Sequence, residues 1–374
     1  MKLLRQRAST IAAAGILALV TALGMGAGTA TAKAPASFYG VVPQTNLGAP
    51  DLARMGTGKV GTLRVIVNWS AIDASAASGD DNWSVLDPVV LEAARNNIEV
   101  LPFIYGTPTW VAQGIDNQKC RSDAKCVFFA PKSKAAIAEW QRFIGDAVDR
   151  YGPGGDLWTQ NPGVTAKPIT AWQLWNEMNS ESFYKPKPTV KGYAKLLAAG
   201  SDAIAQRDPS AEVVLGGMPE LAGSRKAIPG SEYLADLYDV RGVKDDFDGV
   251  APHPYGATIA KVSQQVKTYR KVMKQAGDGG ALMYVTEVGA GSASGGNSLN
   301  RGKKGQASLL TDIFKYFAKK RNSFNVATVN WFSWQDITES ICSWCSTSGL
   351  LTKTGKAKPS YKAFTKLSGG TTKR

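Results

Sequence analysis

The amino-acid sequence predicts an α/β fold, a single (β/α)8 TIM barrel. Short apolar runs rich in β-branched residues alternate with helical stretches, which indicates parallel strands joined by helices. The runs show little polar–apolar alternation, as expected for strands that are covered on both faces. Eight such runs favour a closed barrel over an open sheet. No Gly-x-Gly-x-x-Gly turn follows the first run, which weakens the nucleotide-binding alternative.

The predicted strands and helices follow one another in regular order. The eight strands are expected at 38–42, 62–69, 98–105, 169–176, 212–215, 247–251, 281–287 and 326–334. Helices with apolar residues at three- or four-residue steps are expected at 85–96, 133–151, 190–207, 232–240, 259–276 and 306–321. Shorter helices are expected near Leu52 and Ala363, and Asp208-Pro209 and Gly277 end two of the longer ones.

The first 32 residues have the pattern of a secretory signal peptide. A basic head with Lys2, Arg5 and Arg7 precedes an apolar run, and Ala30-Thr31-Ala32 supplies small residues for cleavage. The apolar run is short for a bilayer span and contains several glycines, so cleavage is favoured over an uncleaved membrane anchor. We therefore expect a secreted, extracellular protein in which residues 33–374 form one catalytic barrel domain.

The composition is that of a globular protein, with 44% hydrophobic and 20% charged residues and a formal net charge of +14. This balance excludes a mostly disordered chain. The lysines and arginines are scattered along the sequence and no nucleic-acid-binding motif accompanies them. We therefore attribute the charge to solubility and predict no nucleic-acid partner. No segment after the signal peptide is apolar enough for stable membrane insertion, and a monomer is expected.

The chain contains four cysteines. An even number in an oxidising compartment indicates disulfides, and three pairings are possible. We favour the local pairs Cys120–Cys126 and Cys342–Cys345, because each pair lies within one loop. Zinc is the rival interpretation, but only the second pair has ligand-like spacing. The single histidine excludes a His-rich metal site, so neither a metal nor a cofactor is predicted.

Two glutamates follow predicted strands at the carboxyl end, where a barrel of this kind carries its reactive groups. The fourth run ends in Trp-Gln-Leu-Trp-Asn-Glu177, and the seventh ends in Thr286-Glu287. Either glutamate alone would be an ordinary surface charge. At one end of one barrel, one carboxyl group can protonate a glycosidic oxygen while the other attacks the anomeric carbon or activates a water molecule that does. They are therefore the predicted catalytic pair for cleavage of an O-glycosidic bond.

Other side chains are expected around this pair. Arg64 lies in the second run, and the sixth run leads into His253-Pro-Tyr255. The position of His253 after a strand favours a role in the site over a role in the core. Trp110 and Trp334 lie at or beyond strand ends, so they are candidates for stacking on sugar faces.

These motifs resemble those of the clan A glycoside hydrolases, which are barrels with an Asn-Glu acid/base at the fourth strand and a Glu nucleophile at the seventh. The matching residues are Asn176-Glu177 and Glu287, and the resemblance extends over essentially all of residues 33–374. The segment from Gly106 to Trp110 and the stretch 87–102 look most like family 39, with family 5 close behind.

The resemblance implies a role for each neighbour of the glutamates. Arg64 would lie beside Glu287 and keep it ionised, and Tyr255 would hold the same carboxylate in place. Asn176 would bind the sugar 2-hydroxyl. Trp334 would form the floor of the subsite that holds the distorted sugar.

The predicted function is a secreted, retaining glycoside hydrolase that cleaves a poly- or oligosaccharide by double displacement. Two alternatives stay open: a transglycosylase, in which a sugar replaces water, and a non-catalytic barrel that binds cell-envelope glycans. The basic residues at 301–304 suit an anionic polymer, but solvated lysines explain them equally well. The sugar, the linkage and the endo or exo mode of action are left open by the sequence.

Overall fold

The structure, a computed structural model, describes residues 34–75, 81–338 and 342–373. The predicted signal peptide lies outside the described residues. Within them, parallel strands with surrounding helices form a closed (β/α)8 barrel, as predicted. The strands are β1 (Tyr39–Val42), β2 (Thr62–Asn68), β3 (Glu99–Tyr105), β4 (Ala171–Asn176), β5 (Glu212–Pro219), β6 (Gly249–Val250), β7 (Pro252–His253), β8 (Leu282–Val288) and β9 (Val326–Phe332).

The barrel has eight strand positions, because β6 and β7 are two short pieces of the sixth strand on either side of Ala251. Both pieces pair with β5. Neighbouring strands run in the order β4-β3-β2-β1-β9-β8-β6-β5, and β5 pairs back with β4 to close the sheet. These pairings are all parallel. The carboxyl ends of the strands therefore meet at one end of the barrel.

The helices pack around the sheet. They are α1 (Ala49–Thr57), α2 (Trp69–Ile72), α3 (Asp87–Arg95), α4 (Asp123–Cys126), α5 (Lys134–Tyr151), α6 (Asp156–Gln160), α7 (Val190–Arg207), α8 (Gly230–Tyr238), α9 (Ile259–Gln275), α10 (Gly302–Lys320) and α11 (Pro359–Ser368). Hydroxyl groups of Ser133, Thr189 and Thr258 accept a backbone N–H three residues on and cap α5, α7 and α9. The helices predicted from periodicity are present, whereas the short helices α2, α4 and α6 were not anticipated.

Two strand boundaries differ from the prediction. The second strand ends at Asn68, and Trp69 instead begins α2, where its ring packs against Trp140. The fifth strand continues beyond residue 215 to Pro219. Glycines lower strand propensity, so the predicted strand stopped before Gly216 and Gly217. The strand continues there because a residue without Cβ fits against its neighbours.

Both predicted disulfides are present, Cys120–Cys126 and Cys342–Cys345. They leave no free cysteine in the described part of the chain, so none of the four is a free thiol that could bind zinc. Among the described residues, no helix has the length and apolarity that crossing a membrane requires.

Candidate active site

Two glutamates and the single histidine meet at the carboxyl end of the barrel. Glu177 follows β4, His253 ends β7, and Glu287 lies near the end of β8. One oxygen or ring nitrogen from each of the three side chains lies within 4.8 Å of the others. Parallel strands bring these distant residues together, as the prediction from strand ends required.

Both carboxylate oxygens of Glu287 accept a hydrogen bond, one from the buried Arg64 and the other from the half-buried Tyr255. Arg64 Nη1 lies 2.6 Å from Oε1, and the Tyr255 hydroxyl donates to Oε2 at 2.6 Å. Burial alone would raise the pKa of Glu287. The nearby imidazole of His253, the Arg64 guanidinium and the bond from Tyr255 outweigh it, so the pKa is lowered. Glu287 is therefore held in its ionised form.

The guanidinium of Arg64 is fully buried and makes contacts with several neighbours. Its Nε donates to Gln173 Oε1 at 2.7 Å, and its Nη2 donates to Asn176 Oδ1 at 2.8 Å. The ring of Phe103 lies 4.0 Å below it. No described residue accepts a hydrogen bond from the amide nitrogen of Asn176, which leaves that group free to bind a ligand.

Glu177 occupies a different environment from Glu287. His253 Nδ1 lies 3.0 Å from its Oε1, and its backbone N–H donates to the Gly217 carbonyl at 2.8 Å. Its φ of 43° and the φ of 73° at Trp175 are in the left-handed region, which residues other than glycine rarely adopt. Burial, aided by the charge of Glu287, raises the pKa of Glu177 against the opposing effects of His253 and Arg64.

Gly217 sets the position of the His253 ring. A Cβ at this glycine would lie 1.9 Å from His253 Nε2. We therefore expect Gly217→Ala to displace the ring from Glu177 and to lower kcat/KM by about 100-fold, the usual cost of a misplacement of about 1 Å. The measurement is steady-state kinetics on the best substrate, with the circular dichroism spectrum and Tm recorded alongside.

Gly223→Ala is the matched control, because a Cβ there meets only Pro229 at an ordinary contact of 3.5 Å. It lies in the loop after the same strand. Equal activity of the two alanine variants would contradict the role given to Gly217.

Trp334 does not lie in the site, contrary to the prediction. Its side chain is fully buried, its indole N–H donates to Asp51 Oδ1 at 3.1 Å, and its ring meets Tyr361 edge-on. Strand β9 ends at Phe332, so the alternation of side chains along a strand no longer applies two residues later. Trp334 packs among helices α1 and α11 instead.

Phe332 and Trp344 lie beside Tyr255 instead. The Trp344 ring centroid lies 5.1 Å from that of Tyr255 and 5.9 Å from that of Phe332. Trp344 comes from the loop closed by the Cys342–Cys345 disulfide. Nothing in the local pattern marked it except its place between two cysteines.

Three further residues lie towards the carboxyl ends of β2 and β3 or follow β3. Ile66 lies two residues beyond Arg64 on β2, so it faces the same side, and it is 44% exposed. The buried Tyr105 hydroxyl has no hydrogen-bond partner among the described residues, and burial followed by the charge of Glu177 raises its pKa. Trp110 is half-buried, and its indole N–H donates to the Asp73 carbonyl at 3.0 Å.

Glu177, His253 and Glu287 are close enough together to bind a metal ion, but the contacts of their side chains do not favour it. Both oxygens of Glu287 already accept bonds from Arg64 and Tyr255. A cation beside the buried guanidinium would also meet like-charge repulsion. The three side chains therefore fit an acid–base pair of carboxyl groups better than the ligands of a metal ion.

A cavity of about 660 Å³ opens at the opposite end of the barrel, where the strands begin. Its two glutamates are engaged: Glu212 accepts from the Tyr284 hydroxyl, and Glu99 lies 3.9 Å from Lys167 Nζ. Residues at this end of such barrels usually serve stability. We therefore place the functional site at the carboxyl end.

By sequence, the chain matches no protein-family model and no curated protein. By structure, it is similar to a family 39 glycoside hydrolase from the gut symbiont Bacteroides cellulosilyticus WH2, with a TM-score of 0.64 and 17% identity over 89% of this chain and 63% of that one. A glucosidase from Croceicoccus marinus has a TM-score of 0.62 and 13% identity over 89% and 67% of the two chains. An intracellular xylanase from Thermoanaerobacterium saccharolyticum has a TM-score of 0.59 and 15% identity over 87% and 94%.

The chain has the barrel fold of these glycoside hydrolases. The fold that the resemblance to clan A glycoside hydrolases implied is confirmed, and a family 39 enzyme is among the structural neighbours. The chain spans less than two thirds of the family 39 enzyme. Because similarity at this level of identity establishes the fold, the activity has to be argued from the site.

Proposed function

We propose that the protein is a retaining glycoside hydrolase that cleaves O-glycosidic bonds in a poly- or oligosaccharide. The observation that carries the proposal is that the pKa values of two neighbouring carboxyl groups are shifted in opposite directions. Burial raises the pKa of Glu177, whereas Arg64 and Tyr255 contribute to a lowered pKa of Glu287. One carboxylic acid and one carboxylate facing the same cleft are what glycosidic cleavage requires.

The short distance between the two groups supports retention of configuration. Their closest oxygens lie within 4.8 Å of each other. Retaining enzymes hold the carboxyl groups roughly 5–5.5 Å apart, whereas inverting enzymes leave roughly 6.5–9.5 Å for a water molecule.

The mechanism has two displacements. In the first, Glu287 attacks the anomeric carbon while Glu177 gives its proton to the leaving glycosidic oxygen, and a glycosyl ester forms on Glu287. In the second, Glu177 takes a proton from water as the water oxygen attacks the same carbon and releases Glu287. Arg64 and Tyr255 keep the nucleophile ionised and oriented, and the free amide nitrogen of Asn176 is placed to bind the substrate.

Secretion and the monomeric state are also proposals. Secretion rests on the signal-like pattern of residues 1–32 and fits a chain with two disulfides.

The similar solved structures include a glucosidase and a xylanase. These names point to different sugars, so the substrate is best found by experiment.

The test is a screen of the purified protein against plant and microbial polysaccharides and aryl glycosides, followed by proton NMR of the first product formed. We expect release of a sugar whose anomeric configuration equals that of the substrate. Longer products at high acceptor concentration would instead favour transglycosylation. Binding without cleavage across the panel would favour the non-catalytic alternative, and inversion would contradict the double displacement.

The pH dependence of kcat/KM is expected to be bell-shaped with a broad top. Activity should fall at low pH when Glu287 becomes protonated, and its lowered pKa moves that limb to more acidic pH. Activity should fall at high pH when Glu177 loses its proton, and its raised pKa moves that limb upward. The measurement is kcat/KM across pH on the natural substrate, whose leaving oxygen needs a proton. The alkaline limb should disappear in Glu177→Gln, and its persistence there would assign that limb to another group.

A further inference from the structure

We propose that Gln173 and Thr286 are positioning residues that decide which nitrogen of His253 carries the proton. They act through a directed chain of hydrogen bonds that begins at Arg64 and ends at Glu177. The catalytic consequence rests on the proposed role of Glu177 as acid/base, whereas the direction of the chain follows from the geometry alone.

The direction begins at Arg64, because a guanidinium can donate hydrogen bonds but cannot accept them. Its Nε lies 2.7 Å from Gln173 Oε1, so that atom must be the amide oxygen. The amide nitrogen of Gln173 then donates to the Leu215 carbonyl at 3.0 Å and to Thr286 Oγ1 at 3.3 Å. If the amide were flipped, its nitrogen would face the donor Arg64 Nε and its oxygen would face the Leu215 carbonyl. Contacts at both ends therefore fix the orientation of the amide.

The hydroxyl of Thr286 transmits the direction to the imidazole. Its oxygen accepts from Gln173, so its hydrogen points elsewhere. Within the described residues, the remaining partner is His253 Nε2 at 3.0 Å. That nitrogen therefore accepts, and the proton of the neutral ring lies on Nδ1. A proton on Nε2 would leave the Thr286 hydroxyl hydrogen without an acceptor in a fully buried place.

The other ring nitrogen faces the carboxyl groups. His253 Nδ1 lies 3.0 Å from Glu177 Oε1 and 3.8 Å from Glu287 Oε2. A proton on Nδ1 is thus donated to Glu177 Oε1, and this oxygen is occupied as an acceptor.

The acid proton of Glu177 is consequently confined to Oε2, which has no partner among the described residues. The Glu177 side chain is 16% exposed. When the glycosidic C–O bond breaks, its electron pair stays on the leaving oxygen, which takes the proton from Oε2. Water returns a proton to Oε2 as its oxygen bonds to the anomeric carbon.

Burial protects this chain of hydrogen bonds from exchange with solvent. Gln173, Thr286 and His253 are each 0% exposed, so bulk water does not compete for the bonds between them.

The test uses the fact that the chain contains one histidine. Untagged protein made with ring-¹⁵N-labelled histidine gives two ring-nitrogen resonances, both from His253. We expect a protonated Nδ1 and a non-protonated, hydrogen-bonded Nε2 at the pH of maximal activity. A proton on Nε2, alone or in the doubly protonated ring, would overturn the proposal.

Two variants at one position separate a positioning role from simple packing. Thr286→Ser keeps the hydroxyl, so it should keep the Nδ1 proton and a kcat within about threefold of the parent. Thr286→Val keeps the shape but removes the hydroxyl. It should mix the two forms of the ring and lower kcat by about 100-fold with little change in KM. An unchanged ring spectrum in Thr286→Val would refute the proposal. If that variant does not fold, the parent and Thr286→Ser spectra decide.

Failure of this inference is distinguishable from failure of the proposed function. A proton on Nε2 in an active retaining hydrolase would contradict only the proposed hydrogen-bond chain. A proton on Nδ1 in a protein that cleaves no glycoside would support the hydrogen-bond chain and contradict the proposed function.

Discussion

Glu287→Gln is expected to lower kcat by about 10⁵-fold or more, because the amide that replaces the carboxylate cannot form the glycosyl ester. The substitution keeps the size of the side chain but removes the charge that faces Arg64 at 2.6 Å. The buried guanidinium loses its counter-charge, so a lower Tm is expected as well. The measurements are kcat on the best substrate of the screen and thermal unfolding followed by circular dichroism.

Glu220→Gln provides the matched control for this loss. Glu220 follows β5 at the same end of the barrel, but its oxygens bond the backbone N–H and hydroxyl of Ser231 at 3.0 and 2.6 Å. Its replacement should leave kcat nearly unchanged.

A covalent trap gives an independent reading of the nucleophile. A 2-deoxy-2-fluoro glycoside with a good leaving group should label Glu287, as peptide mass spectrometry would reveal. A label on another residue would remove Glu287 from the mechanism.

Glu177→Gln is expected to show a loss that depends on the leaving group. For a natural glycoside, whose leaving oxygen needs a proton, kcat should fall by about 10²–10⁴-fold, the usual contribution of general acid catalysis. For an aryl glycoside with an acidic phenol, the first step needs little protonation, so the glycosyl ester should accumulate and appear as a burst of phenol. The measurement is pre-steady-state release of phenol compared with steady-state turnover of the natural substrate.

Added azide sharpens this test, because a small anion can attack the glycosyl ester without a general base. We expect azide to raise turnover of the aryl substrate in Glu177→Gln and to have little effect on the parent protein. Equal losses on both substrates with no response to azide would mean that Glu177 is not the acid/base. Glu220→Gln again serves as the control with an ordinary response.

The sequence was sufficient to predict the barrel because the signals are local. Each strand is a short apolar run and each long helix has its own periodicity, so the alternation could be read without tertiary information. Glu177 and Glu287 were found for the same reason, since their positions after the fourth and seventh strands imply the same end of the barrel. Strand ends with glycines were less readable, as the continuation through Gly217 illustrates.

The aromatic residues beside the site were harder to predict. Trp334 was expected to form the floor of the subsite, but the strand ends before it and the ring enters the core. Trp344 comes from a loop whose path depends on a disulfide and on packing against Tyr255. Loops have no periodicity that places a side chain on a particular face, so their contacts follow from the whole fold.

What the sequence by itself determined is the order of strands and helices, the local disulfide pairs and the two glutamates at strand ends. Only the tertiary structure decided how those glutamates differ. Burial raises the pKa of one, and the guanidinium of Arg64 and the hydroxyl of Tyr255 help to lower the pKa of the other. It also brought Gln173 and Thr286, two polar side chains within apolar strands, into a hydrogen-bond chain with His253. Desolvation and hydrogen-bond direction depend on three-dimensional contacts between strands that lie far apart in the sequence, and no local pattern encodes them.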